Sequence, residues 1–303
     1  MIKSITVTNY LGDSIKLELA RPELSGFVVK SISGLGPGKA TINTTETVTS
    51  DGGLFNSARL SKRNIVFTLG YLWRDTASIE DARQSSYKYF PIKKQVTLII
   101  ETDNRKAKIE GYVESNEPTI FAKDTGSTIS IICPDPHFYS LGESTSVFSG
   151  VSSTFEFPFS NESLTESLLE TGEICNYTEK YIHYDGDADI GVRITIHALG
   201  EAKNIAIYNT GTRDMMRIDT EKLADLTGSN IKTGDDIIIC TEKGNKSIVL
   251  VRDGKTTNIL NCLVKGSKWF QLVKGDNVFA YTAEEGDTYL QFKVENRIAY
   301  EGV

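Results

Sequence analysis

Only one stretch of this chain carries the local signals of a helix, and strands flank it, so most of the remainder has to be satisfied by sheet. From Arg63 onward, Ile65, Phe67 and Leu69 alternate with Val66 and Thr68, the period-two spacing that puts three apolar side chains on one face of a strand. Val96 to Ile100 form a second apolar run, far too short to cross a membrane. Between them, the Ser78 hydroxyl can cap a backbone N–H while Asp81, three residues on, offsets the partial positive charge of the first turn. Pro91 lacks an N–H and drives Phe90 out of helical torsions. The helix is therefore expected over residues 78–90. Its Ile79, Ala82, Ser86 and Phe90 face is narrow, suited to plugging one end of a sandwich rather than building a bundle.

Ile2 to Thr8, Ser14 to Leu19 and Phe27 to Ile32 read as strands before this stretch. The Gly34-Leu35-Gly36-Pro37-Gly38 segment that follows does not suit a phosphate cradle, because Pro37 removes a donor, the glycine spacing is wrong and no helix follows. Lys39 to Thr49 and Leu54 to Leu60 flank Asp51-Gly52-Gly53, a turn that supplies positive φ. In the outgoing strand, Thr41, Asn43, Thr45, Thr47 and Thr49 share one face and Ala40, Ile42, Thr44, Glu46 and Val48 the other. Neither face is apolar enough to bury deeply against its own core. A long, polar, β-prone arm over residues 39–60 suits pairing with another copy of the chain.

Lys94 to Glu101 and Lys106 to Val113 form a hairpin, Gly126 to Ile132 adds a strand, and Cys133-Pro134-Asp135-Pro136 takes the chain out of the first sandwich. Residues 141–172 turn to Ser, Thr, Gly and Glu and read as a connecting segment. Strands then recur with turn residues about every ten positions, the mark of a second all-β sandwich. They are Ile174 to Tyr184, Ile190 to Ala198, Asn204 to Tyr208, Met215 to Asp219, Asp236 to Thr241, Ser247 to Val251, Lys268 to Val273, Val278 to Thr282 and Thr288 to Val294. The fold class is mainly β, with domains at 1–140 and 173–303. A length of 303 residues provides for two such cores.

The net charge of −7 argues against a nucleic-acid footprint, which needs clustered Lys and Arg. Cys133, Cys175, Cys240 and Cys262 lie far apart with no metal or redox spacing and read as buried free thiols. No signal peptide or membrane span is visible, so membrane insertion is not expected and synthesis in the cytoplasm is. Asp185, Asp187 and Asp189 alternate like the start of a calcium loop, but Ile190 and Ile196 stand where its glycine and bidentate glutamate belong. His183 and His197 have no third ligand nearby, and His137 sits in an aromatic cluster. No catalytic motif, metal set or cofactor site is assembled. Among the aromatics of the second half, Trp269 and Tyr281 are the candidates for stacking a sugar, with a filled core as the alternative.

The order of these features resembles the distal tail protein family of long-tailed siphophages. The resemblance rests on Arg63-Asn64-Ile65, Ala82-Arg83 with Tyr89-Phe90-Pro91, Gly111-Tyr112-Val113-Glu114 and Cys133-Pro134-Asp135-Pro136-His137-Phe138. It continues through Gly186-Asp187-Ala188, Gly234-Asp235, Trp269-Phe270, Gly275-Asp276-Asn277 and Tyr300-Glu301-Gly302-Val303, with Lys274 replacing a frequent proline. The resemblance implies an N-terminal ring-forming sandwich and a C-terminal galectin-like or carbohydrate-module-like one. It also implies a ring, usually of six copies, in the tail tip or baseplate of a virion assembled in the host cytoplasm. Such a ring joins the tail tube protein to the tail-fibre or tail-lysozyme hub, can anchor receptor-binding proteins, and lets viral DNA pass through its lumen without sequence-specific binding. The arm residues Thr41, Asn43, Thr45, Thr47, Thr49, Leu54, Phe55 and Arg59 would carry the inter-subunit contact. A cell-wall glycan-binding adhesion protein acting through the second sandwich is the alternative, and a glycosidase a more distant one.

Overall fold

The computed structural model describes residues 1–46, 51–73, 78–119, 124–152, 173–176 and 179–303. The chain divides into two units, Met1–Leu141 with Ala299–Val303, and Gly142–Ile298.

Unit 1 contains β1 (Ile2–Asn9), β2 (Ser14–Glu18), β3 (Phe27–Ser33), β4 (Ala40–Glu46), β5 (Gly53–Leu60) and β6 (Arg63–Tyr71). Helix α1 (Ile79–Tyr89), β7 (Gln95–Thr102), β8 (Lys106–Thr119), β9 (Gly126–Cys133) and β10 (Phe138–Ser140) follow. Seven of these strands form one antiparallel sheet in the order β2-β1-β7-β8-β9-β6-β3, with β10 added beside β8. The sheet wraps round one core. Ile5 and Val7, Ile65, Phe67 and Leu69, Leu98 and Ile100, and Ile129 and Ile131 all lie within it, each set at the period of two that the alternating sequence imposes.

Helix α1 closes this core. Ser78 Oγ accepts from the Asp81 amide at 3.1 Å and Asp81 Oδ2 accepts from the Ser78 amide at 2.8 Å, a capping box. Ala82 and Ser86 face inward, and Phe90 at the C-cap is buried 6.0 Å from the Phe67 ring. Ile79, expected on the same inward face, is exposed; it occupies the first helical position, before the turn that reaches the core.

Unit 2 contains β11 (Ser144–Val147), β12 (Ser149–Ser152), β13 (Glu173–Asn176), β14 (Glu179–Tyr184), β15 (Arg193–Ala198), β16 (Ala206–Asn209) and β17 (Asp214–Arg217). After helix α2 (Thr220–Thr227) come β18 (Asp236–Cys240), β19 (Ser247–Arg252), β20 (Lys255–Asn258), β21 (Gly275–Thr282) and β22 (Leu290–Asn296). A six-stranded sheet, β11-β22-β15-β18-β19-β20, faces a four-stranded one, β14-β21-β16-β17, and among the described residues β12 pairs only with β13. Tyr281 from one sheet stacks on Phe292 from the other, centroids 3.8 Å apart, with Phe148 edge-on to both.

Four expectations change. Residues 144–147, read as part of a connecting segment, are a strand paired with β22; residues 153–172 of that segment lie outside the described residues. Helix α2 was not expected. It is capped by the Asp219 carboxylate on the Glu221 and Lys222 amides, ends at Gly228 with φ 80°, and buries Leu223. Lys268 to Val273 is not a ladder strand: Phe270 and Leu272 are driven into the core from irregular backbone, with one bridge from Leu272 to Ile190. Finally, residues 299–303, expected in the second sandwich, belong to unit 1, where β23 (Ala299–Tyr300) pairs with β10.

Candidate functional site

β4 and β5 pair with each other and, among the described residues, with no other strand. Every residue of both is exposed. They form a ribbon standing off the unit 1 sheet. Its register runs Ala40↔Leu60, Thr41↔Arg59, Ile42↔Ala58 and Asn43↔Ser57, then jumps to Thr44↔Phe55 and Thr45↔Leu54. Asn56 is thus an extra residue, a bulge, and its side-chain amide donates to Thr45 Oγ1 at 2.6 Å.

A bulge inverts the parity of a strand beyond it. In plain alternation, with Asn56 opposite Thr44, Phe55 would share a face with Thr45; because Asn56 is bulged, Phe55 opposes Thr44 and faces the same way as Ile42. One side of the ribbon therefore presents Ala40, Ile42, Thr44, Phe55, Ala58 and Leu60. The other presents Thr41, Asn43, Thr45, Leu54, Ser57 and Arg59, laced by Asn43 Nδ2 to Ser57 Oγ at 3.0 Å and Thr41 Oγ1 to Ser61 Oγ at 2.9 Å. Neither face is buried against the chain's own core, as the composition of the outgoing strand implied; that one face is more apolar than the other follows only from what the partner strand adds across the ladder. Thr47 and Thr49 lie outside the described residues.

The root of this ribbon is held at Arg63, the first residue of β6, which is only 5% exposed. Its guanidinium donates to four backbone carbonyls: Nε to Pro136 at 2.7 Å, Nη1 to Gly34 at 2.6 Å and to Gly36, and Nη2 to Glu301 at 2.6 Å. The Phe138 ring lies 4.6 Å away beneath the cation. Burial lowers the pKa of Arg63, with Cys133 and Glu301 acting in the opposite sense; guanidinium stays charged under such shifts. The Gly34–Gly38 segment thus turns carbonyl oxygens toward a cation, the opposite of an anion cradle. Gly34 has φ +86°, and a Cβ there would lie 2.1 Å from the Asn64 oxygen, so only glycine fits. Gly38, next to the first arm residue, has its Cβ position 3.7 Å from Arg63 Nη2, and the Ser61 amide donates to the Lys39 carbonyl at 3.0 Å.

Residues 299–303 complete the clamp. Beside the Glu301 bond, the Val303 amide donates to the Leu35 carbonyl at 3.1 Å, Arg105 Nη1 donates to the Gly302 carbonyl at 3.2 Å, and the Arg105 guanidinium lies over the Tyr300 ring at 4.4 Å. Asp135 holds the adjoining turn by accepting from the His137 amide at 3.1 Å, meeting His137 Nδ1 at 3.0 Å, and accepting from the Tyr139 hydroxyl at 2.5 Å. Burial pushes the neighbouring Cys133 thiol up to about 11, so it remains a thiol. Cys133, Cys240 and Cys262 are free and buried; the Cys175 side chain lies outside the described set.

The remaining sequence candidates do not converge. Tyr281 is 4% exposed, stacked on Phe292, with its hydroxyl donating to the Leu290 carbonyl at 3.2 Å. It belongs to the core and cannot face a glycan, because inward positions of β21 alternate with outward ones. Trp269 is half-buried, with Lys246 Nζ 5.4 Å from its ring centre. Asp185 meets His183 Nε2 at 2.9 Å, and Asp187 lies 3.7 Å from Lys274 Nζ. Among the described residues no group of three or more His, Cys, Asp or Glu could hold a metal ion, and no helix is long and apolar enough to cross a membrane. Sequence reading missed two polar anchors in unit 2. Arg252 forks onto Asp235 at 2.8 and 2.6 Å, and His197 Nδ1 meets Asp236 across the β15–β18 pair at 2.7 Å.

This two-unit β architecture is shared with a phage hub protein of solved structure. That protein is the Dit protein of phage SPP1, described as a paradigm of the hub adsorption apparatus in phages infecting Gram-positive bacteria. It matches with a TM-score of 0.65 over 98% of this chain and 99% of its own, at 14% identity. Chains of the phage p2 baseplate in its activated conformation, with Sr and with Ca, align at TM-scores of 0.48 and 0.49 and identities of 13% and 12%. Those alignments cover 97% of both chains in the first case and 98% in the second. No protein-family model and no curated protein sequence matches the chain. At these identities the likeness is one of fold.

Proposed function

We propose that this protein is the structural hub of a bacteriophage tail tip. Copies close into a ring, of six by the family resemblance, through the arm of residues 39–60. The ring joins the tail tube to the tail-fibre or tail-lysozyme hub, anchors receptor-binding proteins and leaves a lumen for DNA. The observation that carries this reading is the fold match to SPP1 Dit over nearly the whole of both chains. A fully exposed ribbon bound to no other strand among the described residues supports it, since an isolated two-stranded hairpin is marginal in water and gains stability when covered. A contact repeated by rotation closes a ring without any special end. The role is architectural, not catalytic. A glycan-binding function loses one of its two proposed aromatics, Tyr281, to the core.

Light scattering with negative-stain imaging of the purified protein tests this. Hollow rings are expected, and deletion of residues 41–60 should leave a folded monomer. A protein that stays monomeric at every concentration, or that forms unchanged rings without the arm, refutes it.

A further inference from the structure

Building on the ring reading, we infer that the arm docks on a second copy of this chain through one face only, the apolar face assembled by the Asn56 bulge. The threonine-rich face stays in solvent. Ile42 is 62% exposed and Phe55 66% exposed, and Leu60 at the root is 37% exposed. By register these three side chains, with Ala40 and Ala58, lie on one side of the ribbon. A contiguous apolar strip on an element that touches no core of its own marks an interaction surface. The opposite face has already used its polar groups on itself, through the Asn43–Ser57, Thr45–Asn56 and Thr41–Ser61 hydrogen bonds.

Charge indicates which occupant fits. Unit 1 carries 17 Lys and Arg against 16 Asp and Glu, which leaves 16 against 24 in unit 2 from the chain totals of 33 and 40. Two copies can therefore approach through unit 1 with little net repulsion, whereas approach through unit 2 brings like charge together. An apolar strip on the nearly neutral unit fits a second copy.

The bulge is the device that makes the face. Paired without a bulge, with Asn56 opposite Thr44, the same strand would turn Phe55 toward Thr45 and put Leu54 on the Ile42 side. The strip would then lose its largest side chain.

The test places a photo-crosslinking amino acid at positions 42, 55, 43 and 57 of the full chain in turn. Positions 42 and 55 should yield covalent multimers about tenfold more efficiently than 43 and 57. In parallel, Ile42→Asp and Phe55→Asp should weaken assembly at least ~tenfold, while Asn43→Asp and Ser57→Asp change it by less than about twofold. All four variants replace exposed residues, so an unchanged melting temperature checks that each is folded. Crosslinking through 43 and 57 equal to or above that through 42 and 55 overturns the face assignment while wild-type rings still stand. A wild-type chain that never assembles defeats the ring reading and this proposal with it.

Discussion

Replacing Arg63 with methionine keeps the length and apolar bulk of the side chain and removes every donor that the guanidinium brings to the clamp at the arm's root. Four carbonyls, of Gly34, Gly36, Pro136 and Glu301, lose their partner. A hydrogen bond to a charged group contributes roughly 1.5–3 kcal/mol, so four independent ones would sum to about 6–12 kcal/mol. They are not independent: one guanidinium makes them all, and carbonyls on loops can recruit water once the clamp opens. What remains is a set of neutral carbonyls, each costing about 1–3 kcal/mol if left buried without a partner, so with roughly two of them kept from water the loss is about 2–6 kcal/mol. For a unit of this size that lowers the melting temperature by on the order of 10 °C. Hydrogen exchange followed by mass spectrometry should show where the stability went. Peptides covering residues 34–38 and 299–303 should lose protection first, while those from β7 and β9 keep it. Arg63→Lys retains the charge but concentrates its donors on one nitrogen, and should recover less than half of the loss. A methionine variant within about 1 kcal/mol of wild type, or unchanged exchange at 299–303, would refute the clamp.

Three other outcomes follow from the same geometry. In unit 2, burial pushes the Asp235 carboxyl up, but the Arg252 fork and the Lys232 amide more than reverse this, so its pKa lies below the ordinary value. Its stabilisation is then present above about pH 3.9 and lost as pH falls through the depressed folded value; Asp235→Ala should cost about 3–5 kcal/mol at neutral pH by urea titration and flatten the acid limb of unit 2 unfolding. His183 is raised, chiefly by the Asp276 hydrogen bond and then by Asp185, so its contribution is full below about pH 6.5 and fades as pH rises through the raised folded value. An NMR titration should find that value reduced in Asp276→Asn, and no change there would discount the pairing. Gly34→Ala forces a Cβ to 2.1 Å from the Asn64 oxygen at φ +86°; thermal melts should show a loss of about 1–3 kcal/mol or more, and a neutral effect would mean the loop is free to rearrange.

Much of the architecture was legible because it is local. The β6 alternation of Ile65, Phe67 and Leu69, the Ser78–Asp81 capping box and the turn at Asp51–Gly53 each depend on a few neighbouring residues. Helix α2 shows the limit of such reading. Asp219 and Gly228 stood at the right distance to start and stop it, but of the side chains between them only Thr220 and Leu223 are buried, too little for a periodic stripe to show. Trp269, Phe270 and Leu272 erred in the other direction: their composition reads as a strand, while the core takes two of them from irregular backbone.

The candidate site divides along the same line. Threonine content and turn chemistry specified that residues 39–60 would form an extended arm, because β-propensity and positive φ are properties of the residues themselves. Which face of that arm is apolar was decided by pairing, since one extra residue at Asn56 inverts everything beyond it and a ladder register is not encoded in either strand alone. The fragments around Gly34, Arg63, Cys133–Phe138 and Tyr300–Val303 were each visible as words in the sequence. That they meet at one guanidinium, across a separation of 238 residues between Arg63 and Glu301, was settled only when the sheet closed. Periodicity acts over a few bonds, whereas a buried cation finds its acceptors wherever the folded backbone leaves carbonyls unpaired.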